Sequence, residues 1–220
     1  MDKATFDRIM RSIHGAIGQS SGPLFWLVNK VELTDPHVIL EIGTGKGGSL
    51  RFWDQLVKPR DLVISVDINL ETPENILWDW RKSDRNITII VGDSTELDTV
   101  KHVEKALGKK EVDFLFLDGG HLYGHVSSDF RNYMPFVRSG GLVGFHDLCD
   151  EPNVGRFFKE LEGKKEVSKG WMRPYNNIPA ELPEKVGDER FMEDLKAILE
   201  ERRKFTQDNG LVCTGIWWKS

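Results

Sequence analysis

Hydrophobic positions follow two periods along this chain. Over residues 4–17 they recur at three- and four-residue steps, through Phe6, Ile9, Met10, Ile13 and Ile17, and this spacing predicts an amphipathic helix. Gln19-Ser20-Ser21-Gly22-Pro23 breaks it, and a second helix is predicted over 23–31. Short continuous apolar runs then take over, at 38–42, 62–66, 87–91, 114–117 and 142–145. Runs of that length are what strands buried on both faces require. Helical stretches at 49–57, 75–81, 99–107 and 123–137 separate them, and another at 154–161 follows. Alternating strands and helices build βαβ units, so the predicted fold is a doubly wound, mostly parallel α/β sheet.

The last quarter departs from this alternation. Residues 166–168 suit a short strand and 212–218 a final one. Between them, Pro174, Pro179, Pro183 and Asn176-Asn177 make 172–184 a loop. A charged helix is predicted over 188–205, with Phe191, Leu195, Ile198 and Leu199 on one face. The loop and helix read as an insertion at about 170–208 inside one domain, 37–220, that follows a helical segment, 1–36.

A length of 220 residues suits one domain with a substantial core. The net charge of −5, with only short basic clusters at Lys109-Lys110, Lys164-Lys165 and Arg202-Arg203-Lys204, argues against nucleic acid or an anionic membrane as partner. No apolar run approaches the ~20 residues that span a bilayer. Asp2, Lys3, Asp7 and Arg8 leave no hydrophobic signal segment at the N-terminus. The two cysteines, Cys149 and Cys213, lie outside any C-x-x-C pattern, so a cytoplasmic setting is expected.

The most informative segment runs from Val38 to Ser49. A buried strand ends, Gly43, Gly45 and Gly47 form a turn, and a helix starts. Glycines let the backbone approach a ligand closely, and the helix start offers unpaired N–H groups. Gly43, Gly45 and Gly48 also satisfy G-x-G-x-x-G, and Asp67 follows after about 20 residues, as a ribose-binding acid should. The turn therefore fits either a nicotinamide dinucleotide or S-adenosylmethionine. Three features favour the second. Glu41 would repel a pyrophosphate but answer a cationic amino-acid group. Gly92-Asp93-Ser94 puts acceptors after the third strand. No tyrosine is followed by lysine four positions later: Ser127, Val137 and Pro179 stand there instead.

The carboxyl ends of the later strands carry a second set. Asp118 ends the fourth strand and His146-Asp147 the fifth, and strand ends of an open parallel sheet face the ligand crevice. Oxygen donors with an imidazole suit a hard or borderline divalent ion. His121 follows Asp118 on the turn into the next helix, with an ordinary pKa of ~6.5 that suits proton transfer. His125 reads as a surface residue, and His14, His37 and His102 have no partner in sequence. Phe25, Trp26, Trp171, Met172 and Tyr175 are candidates for an acceptor pocket.

From Val38 to Trp218 the chain resembles class I S-adenosylmethionine-dependent methyltransferases. The resemblance rests on E-x-G-x-G-x-G beginning at Glu41, on Leu117-Asp118-Gly-Gly-His121-x-Tyr123, and on Gly140-Gly141-Leu-Val-Gly-Phe-His146-Asp147. Within that class it is similar to catechol-type O-methyltransferases, to macrolide and sugar O-methyltransferases and to cephalosporin hydroxylase-like proteins. The resemblance implies a Rossmann-like sheet with an antiparallel C-terminal strand. It implies that Glu41, Gly43, Gly45 and Ser49 meet the methionine portion of S-adenosylmethionine, that Asp67 holds the ribose, and that Asp93 and Ser94 edge the adenine. It implies a divalent metal, magnesium or manganese, on Asp118, His146 and Asp147. His146 stands where the family has a carboxylate, which leaves manganese, iron, zinc or no metal open beside magnesium. It implies His121 as general base, at a position where lysine is usual. The expected activity is O-methylation of a small-molecule hydroxyl, by a chain compatible with a homo-oligomer. Two alternatives stay open: a binding or hydroxylase-like protein that keeps the fold without methyl transfer, and a nicotinamide-dependent oxidoreductase.

Overall fold

The structure, a computed structural model, describes residues 1–13, 16–17, 19, 21–69, 86–148, 151–168 and 214–220. Its centre is a seven-stranded sheet in the order β3-β2-β1-β4-β5-β7-β6. The strands are β1 Val38–Ile42, β2 Leu62–Asp67, β3 Asn86–Val91, β4 Val112–Leu117, β5 Val137–Phe145, β6 Lys165–Val167 and β7 Gly215–Trp218. β1 lies between β2 and β4, with Leu40 opposite both Ile64 and Leu115, and all these pairs are parallel. β5 extends the parallel set, pairing Leu117 with Phe145. β7 then runs antiparallel between β5 and β6, with Gly215 opposite Phe145 and Val167. The expected Rossmann-like sheet with an antiparallel C-terminal strand is therefore present.

Side chains alternate across each strand, so one strand feeds two cores. Ile39, Phe114 and Phe116 pack with Phe6, Leu24, Val28, Phe52 and Trp53. Those partners come from α1 Lys3–Ser12, α2 Ser21–Glu32 and α3 Leu50–Leu56. Leu40, Leu115 and Val143 face the other way, onto Val103, Phe130 and Phe157. These belong to α4 Leu97–Leu107, α5 Tyr123–Tyr133 and α6 Pro152–Glu160. No helix among the described residues is long and apolar enough to cross a membrane.

Three expected boundaries move by four residues or more. The first helix ends at Ser12 instead of running to residue 17: Ser12 Oγ takes the Ile9 carbonyl at 2.7 Å, and Ile13 leaves the helix at φ −108° and ψ 21°. Ile13 still packs in the core, which is why the apolar period continues past the helix. The helix predicted over 123–137 is α-helical only to Tyr133, followed by a 3₁₀ turn at Met134–Phe136. Pro135 has no N–H for an α-helical bond. The fifth strand starts at Val137, because Arg138, Ser139 and Gly140 extend it despite their polarity. The predicted helix over 75–81 and the predicted insertion at 170–208 lie outside the described residues, as do positions 212–213 of the final strand.

Candidate functional site

A crevice of about 590 Å³ opens at the carboxyl ends of the parallel strands. Its walls include Ala16, Ile17 and Gln19, the turn from Gly43 to Ser49, Asp67, Asp93 to Thr95, Asp118 to Gly120, His125, His146 and Asp147. The expected positions Gly43, Gly45, Ser49, Asp67, Asp93, Ser94, Asp118, His146 and Asp147 thus share one cavity.

The glycine turn shapes one end. Gly43 has φ 97°, and a Cβ there would sit 2.1 Å from the Asp118 carbonyl oxygen, so only glycine lets β1 and β4 meet this closely. Gly45, at φ 49°, has the opposite surroundings: nothing lies within 4 Å of where its Cβ would be. Its bare backbone faces the crevice and its N–H donates to Asp67 Oδ2 at 2.7 Å. Asp67 Oδ1 accepts from the Asn69 amide at 2.9 Å, so the acid also ties the end of β2 to the turn. The N-terminal segment closes over this structure, with the Gly48 amide donating to the Ala16 carbonyl at 3.1 Å.

Glu41 is placed differently from the expected contact. It is wholly buried beneath the turn and does not reach the crevice wall. Trp53 Nε1–H donates to Oε1 at 2.8 Å and Ser65 Oγ–H to Oε2 at 2.7 Å. Burial pushes its carboxyl up to about 7, against the hydrogen bonds from Ser49, Trp53 and Ser65. Ser65 Oγ also lies 2.6 Å from Thr44 Oγ1, which carries the network into the turn. Glu41 therefore supports the turn from behind.

At the β3 end, Asp93 Oδ1 accepts from the Thr95 amide at 2.8 Å and hydroxyl at 2.7 Å, which holds its carboxyl below the ordinary value. The Ser94 carbonyl accepts from the Tyr133 hydroxyl at 2.9 Å. Behind Ser94 lies buried Asp129, whose carboxyl is pushed up by burial to about 6.

The other end gathers charge. Asp118, His121 and Asp147 each offer a ligand atom within 4.8 Å of the others. Asp147 joins two histidines: Oδ1 lies 2.9 Å from His146 Nδ1, and Oδ2 lies 3.1 Å from His121 Nε2. Asp118 Oδ1 is 3.2 Å from the same His146 nitrogen. Asp147 sits at φ 56°, a left-handed conformation that is uncommon outside glycine. Burial opposes its ionisation, but the hydrogen bond from His121 and the nearby charges of His146 and His121 outweigh this and hold its carboxyl far below the usual range. The hydrogen bond with Asp147 raises His121, against its partial burial. Burial disfavours a charged His146, yet Asp118 and Asp147 lift it well above its ordinary value. Its Nδ1 is buried and aligned for a hydrogen bond with neither carboxylate, although both are near.

The structure therefore brings Asp118, His146 and Asp147 together as expected and adds His121 to them. It places His121 beside the crevice and puts His125 on the wall. Gln19 was missed as well: its side-chain amide donates to Asp118 Oδ2 from the loop after α1. In sequence Gln19 carries only the signal of a helix breaker. Phe25 and Trp26 lie away from the crevice: Phe25 stacks edge-on with Phe6 at 4.9 Å, and Lys30 sits over Trp26. Trp171, Met172, Tyr175 and His14 lie outside the described residues. His37 is bound to Asp61 at 3.1 Å, and His102 is exposed on α4.

Residues 40–148 match a family model described as a methyltransferase domain. Over 117 residues, half of this chain, the sequence is 31% identical to demethylmacrocin O-methyltransferase of Streptomyces fradiae. It is 30% identical over 117 residues to mycinamicin VI 2''-O-methyltransferase of Micromonospora griseorubida. Each match spans 27% of the relative, so the matched half of the chain covers about a quarter of the length of these proteins. Among solved structures, an O-methyltransferase from Bacillus cereus in complex with SAH aligns with a TM-score of 0.57 and 15% identity, covering 76% of this chain and 83% of that one. At that identity the likeness concerns the fold.

Proposed function

Because this chain belongs, through residues 40–148, to the methyltransferase-domain family, we propose that it methylates a hydroxyl of a small molecule from S-adenosylmethionine. The observation that carries this reading is that one crevice holds both the open-backed glycine turn and the Asp118–Asp147 cluster. When bound, S-adenosylmethionine supplies a methyl carbon made electrophilic by its sulfonium, so the chain's task is mainly to position a nucleophile.

The residues fit both groups. Gly45 leaves the backbone uncovered, and Asp67, Asp93 and Ser94 line the same wall with acceptor oxygens. Asp118 and Asp147 offer oxygens to a divalent ion, with His146 Nδ1 3.2 Å and 2.9 Å from them. Such an ion would acidify a hydroxyl held against it. His121 is the proton acceptor: its Nε2 donates to Asp147 Oδ2, which orients the ring and leaves Nδ1 as the basic atom. Glu41 and Ser65 hold the turn in place, and Ala16 and Gln19 keep solvent from one side of the crevice.

A second role for His121 is favoured by its distance: within 4.8 Å of the Asp118 and Asp147 ligand atoms, it suits a cation ligand as well as a base. Two cysteines outside any C-x-x-C pattern, Cys149 and Cys213, suit a cytoplasmic setting. The test is calorimetry of the chain with S-adenosylhomocysteine and with NAD, followed by product mass. We expect micromolar binding of S-adenosylhomocysteine and none of NAD. Tight NAD binding alone would overturn the reading. Cofactor binding without any methylated product from candidate hydroxyl acceptors would favour the binding or hydroxylase-like alternative.

A further inference from the structure

We propose that His146 makes the cation site of this crevice select a divalent first-row transition ion that accepts imidazole, of the manganese, iron(II) and zinc kind, over magnesium. The inference rests on the reading that the Asp118–Asp147 cluster binds a cation, and it names which cation.

Three observations carry it. The first is the position of His146. Its Nδ1 lies 3.2 Å from Asp118 Oδ1 and 2.9 Å from Asp147 Oδ1, at the adjoining ends of β4 and β5. The second is that this nitrogen is buried and aligned for a hydrogen bond with neither carboxylate. A cation held among these three groups would take the place of the proton that the two carboxylates favour on this nitrogen. The third is His121, which brings a second imidazole to the Asp147 side of the same cluster. Among the described residues, nitrogen and oxygen donors are therefore mixed at this point.

Donor chemistry decides between ions. Magnesium demands oxygen ligands in near-octahedral array and keeps several waters. Imidazole suits iron and zinc, and affinity for nitrogen-containing sites rises along the first-row series from manganese. Replacing one imidazole by an oxygen donor of similar reach should compress that difference. His146→Asn does this without adding a third negative charge beside Asp118 and Asp147.

The experiment titrates the full chain with manganese(II), read by electron paramagnetic resonance, and then displaces it with magnesium. Cobalt(II) serves as a separate optical probe, since its visible bands report nitrogen ligation. For wild type we expect magnesium to displace manganese only at about 100-fold or greater excess, and cobalt bands that weaken or shift in His146→Asn. In His146→Asn the excess needed should fall at least tenfold. Asp118→Asn should abolish the tight manganese site, which separates it from surface binding. S-adenosylhomocysteine affinity, measured on each variant, reports that the crevice is still folded. Equal displacement by magnesium in wild type, or an unchanged ratio in a folded His146→Asn, overturns the proposal. If no ion binds while S-adenosylhomocysteine still does, the cation reading fails and methyl transfer stands without it.

Discussion

Trp53 donates its indole N–H to Glu41 at 2.8 Å in a part of the core where neither side chain touches solvent. The bond joins α3 to β1 directly beneath the glycine turn, and burial leaves this carboxyl half-ionised near pH 7. The folded state therefore binds a proton that the unfolded chain releases near the ordinary value of 4.5. Stability from this group is fully present below that value and falls as pH rises towards 7. A shift of this size corresponds to about 3 kcal/mol. Glu41→Gln has no such titration, and its amide can still accept from Trp53 while donating to Ser65. Urea unfolding of both proteins at pH 5 and pH 8 should show the variant gaining on wild type by up to that amount. Parallel pH profiles would show that Glu41 titrates normally.

The same substitution at two glycines should give opposite results. Gly43→Ala places a methyl 2.1 Å from a backbone oxygen at a positive φ, so β1 and β4 must part. We expect a loss of about 2–4 kcal/mol in folding stability. Gly45→Ala meets open space and bears only the conformational cost of about 1 kcal/mol. Its methyl enters the crevice, so S-adenosylhomocysteine affinity should drop at least tenfold while the melting temperature changes little. Thermal melts paired with calorimetry check both. A stable, tightly binding Gly45→Ala protein would mean that the turn does not meet the ligand.

Asp67 has two structural bonds in addition to its proposed ribose contact, from the Gly45 and Asn69 amides. Asp67→Ala should weaken S-adenosylhomocysteine binding by about 1–3 kcal/mol, since charge-assisted hydrogen bonds are lost. Asp67→Asn retains an acceptor for Gly45 and should lose less. Calorimetry that ranks Asn below Ala would exclude the acceptor role.

His121 and Asp118 should separate by two measurements. If His121 is the proton acceptor, His121→Ala should slow turnover by roughly 100- to 10,000-fold with cofactor affinity nearly unchanged. Manganese affinity should persist in His121→Ala and collapse in Asp118→Ala. Should manganese affinity fall in both, His121 is a ligand. Wild-type turnover in His121→Ala would leave it a structural role.

The strands were legible because burial on both faces writes them as continuous apolar runs: Val38–Ile42 is recovered residue for residue. Arg138 to Gly140 were not: they form an irregular stretch of β5 between its pairs at Val137 and Leu142, with Gly140 at φ 74°, and no apolar period marks them. The crevice was legible where chemistry and turn geometry coincide, at Gly43, Gly45, Asp67 and Asp118. Glu41 was placed near the turn correctly, but the sequence could not tell which face of β1 it takes, and that face points into the helices. Gln19 and Ala16 reach the site through tertiary contact, which leaves no local period or motif to read.

The sheet order also imposes an order on its assembly. Among the described residues β6 borders only β7, and β7 lies between it and β5. The five parallel strands, whose following turns and helix starts supply every crevice residue named above except Asp67 at the end of β2 and Ala16, Ile17 and Gln19, pair through contacts complete by Phe145. Residues 165–167 have no place in the sheet until 215–218 arrive, so a nascent chain must hold one future edge strand unpaired while the next stretch is made. Pairing between distant segments is slow, and unpaired edges invite the wrong neighbour. Pulse-labelled exchange during refolding should accordingly protect Leu40 and Leu115 before Glu166. The ligand-binding half of this protein would then be shaped earlier in folding than the edge that seals it.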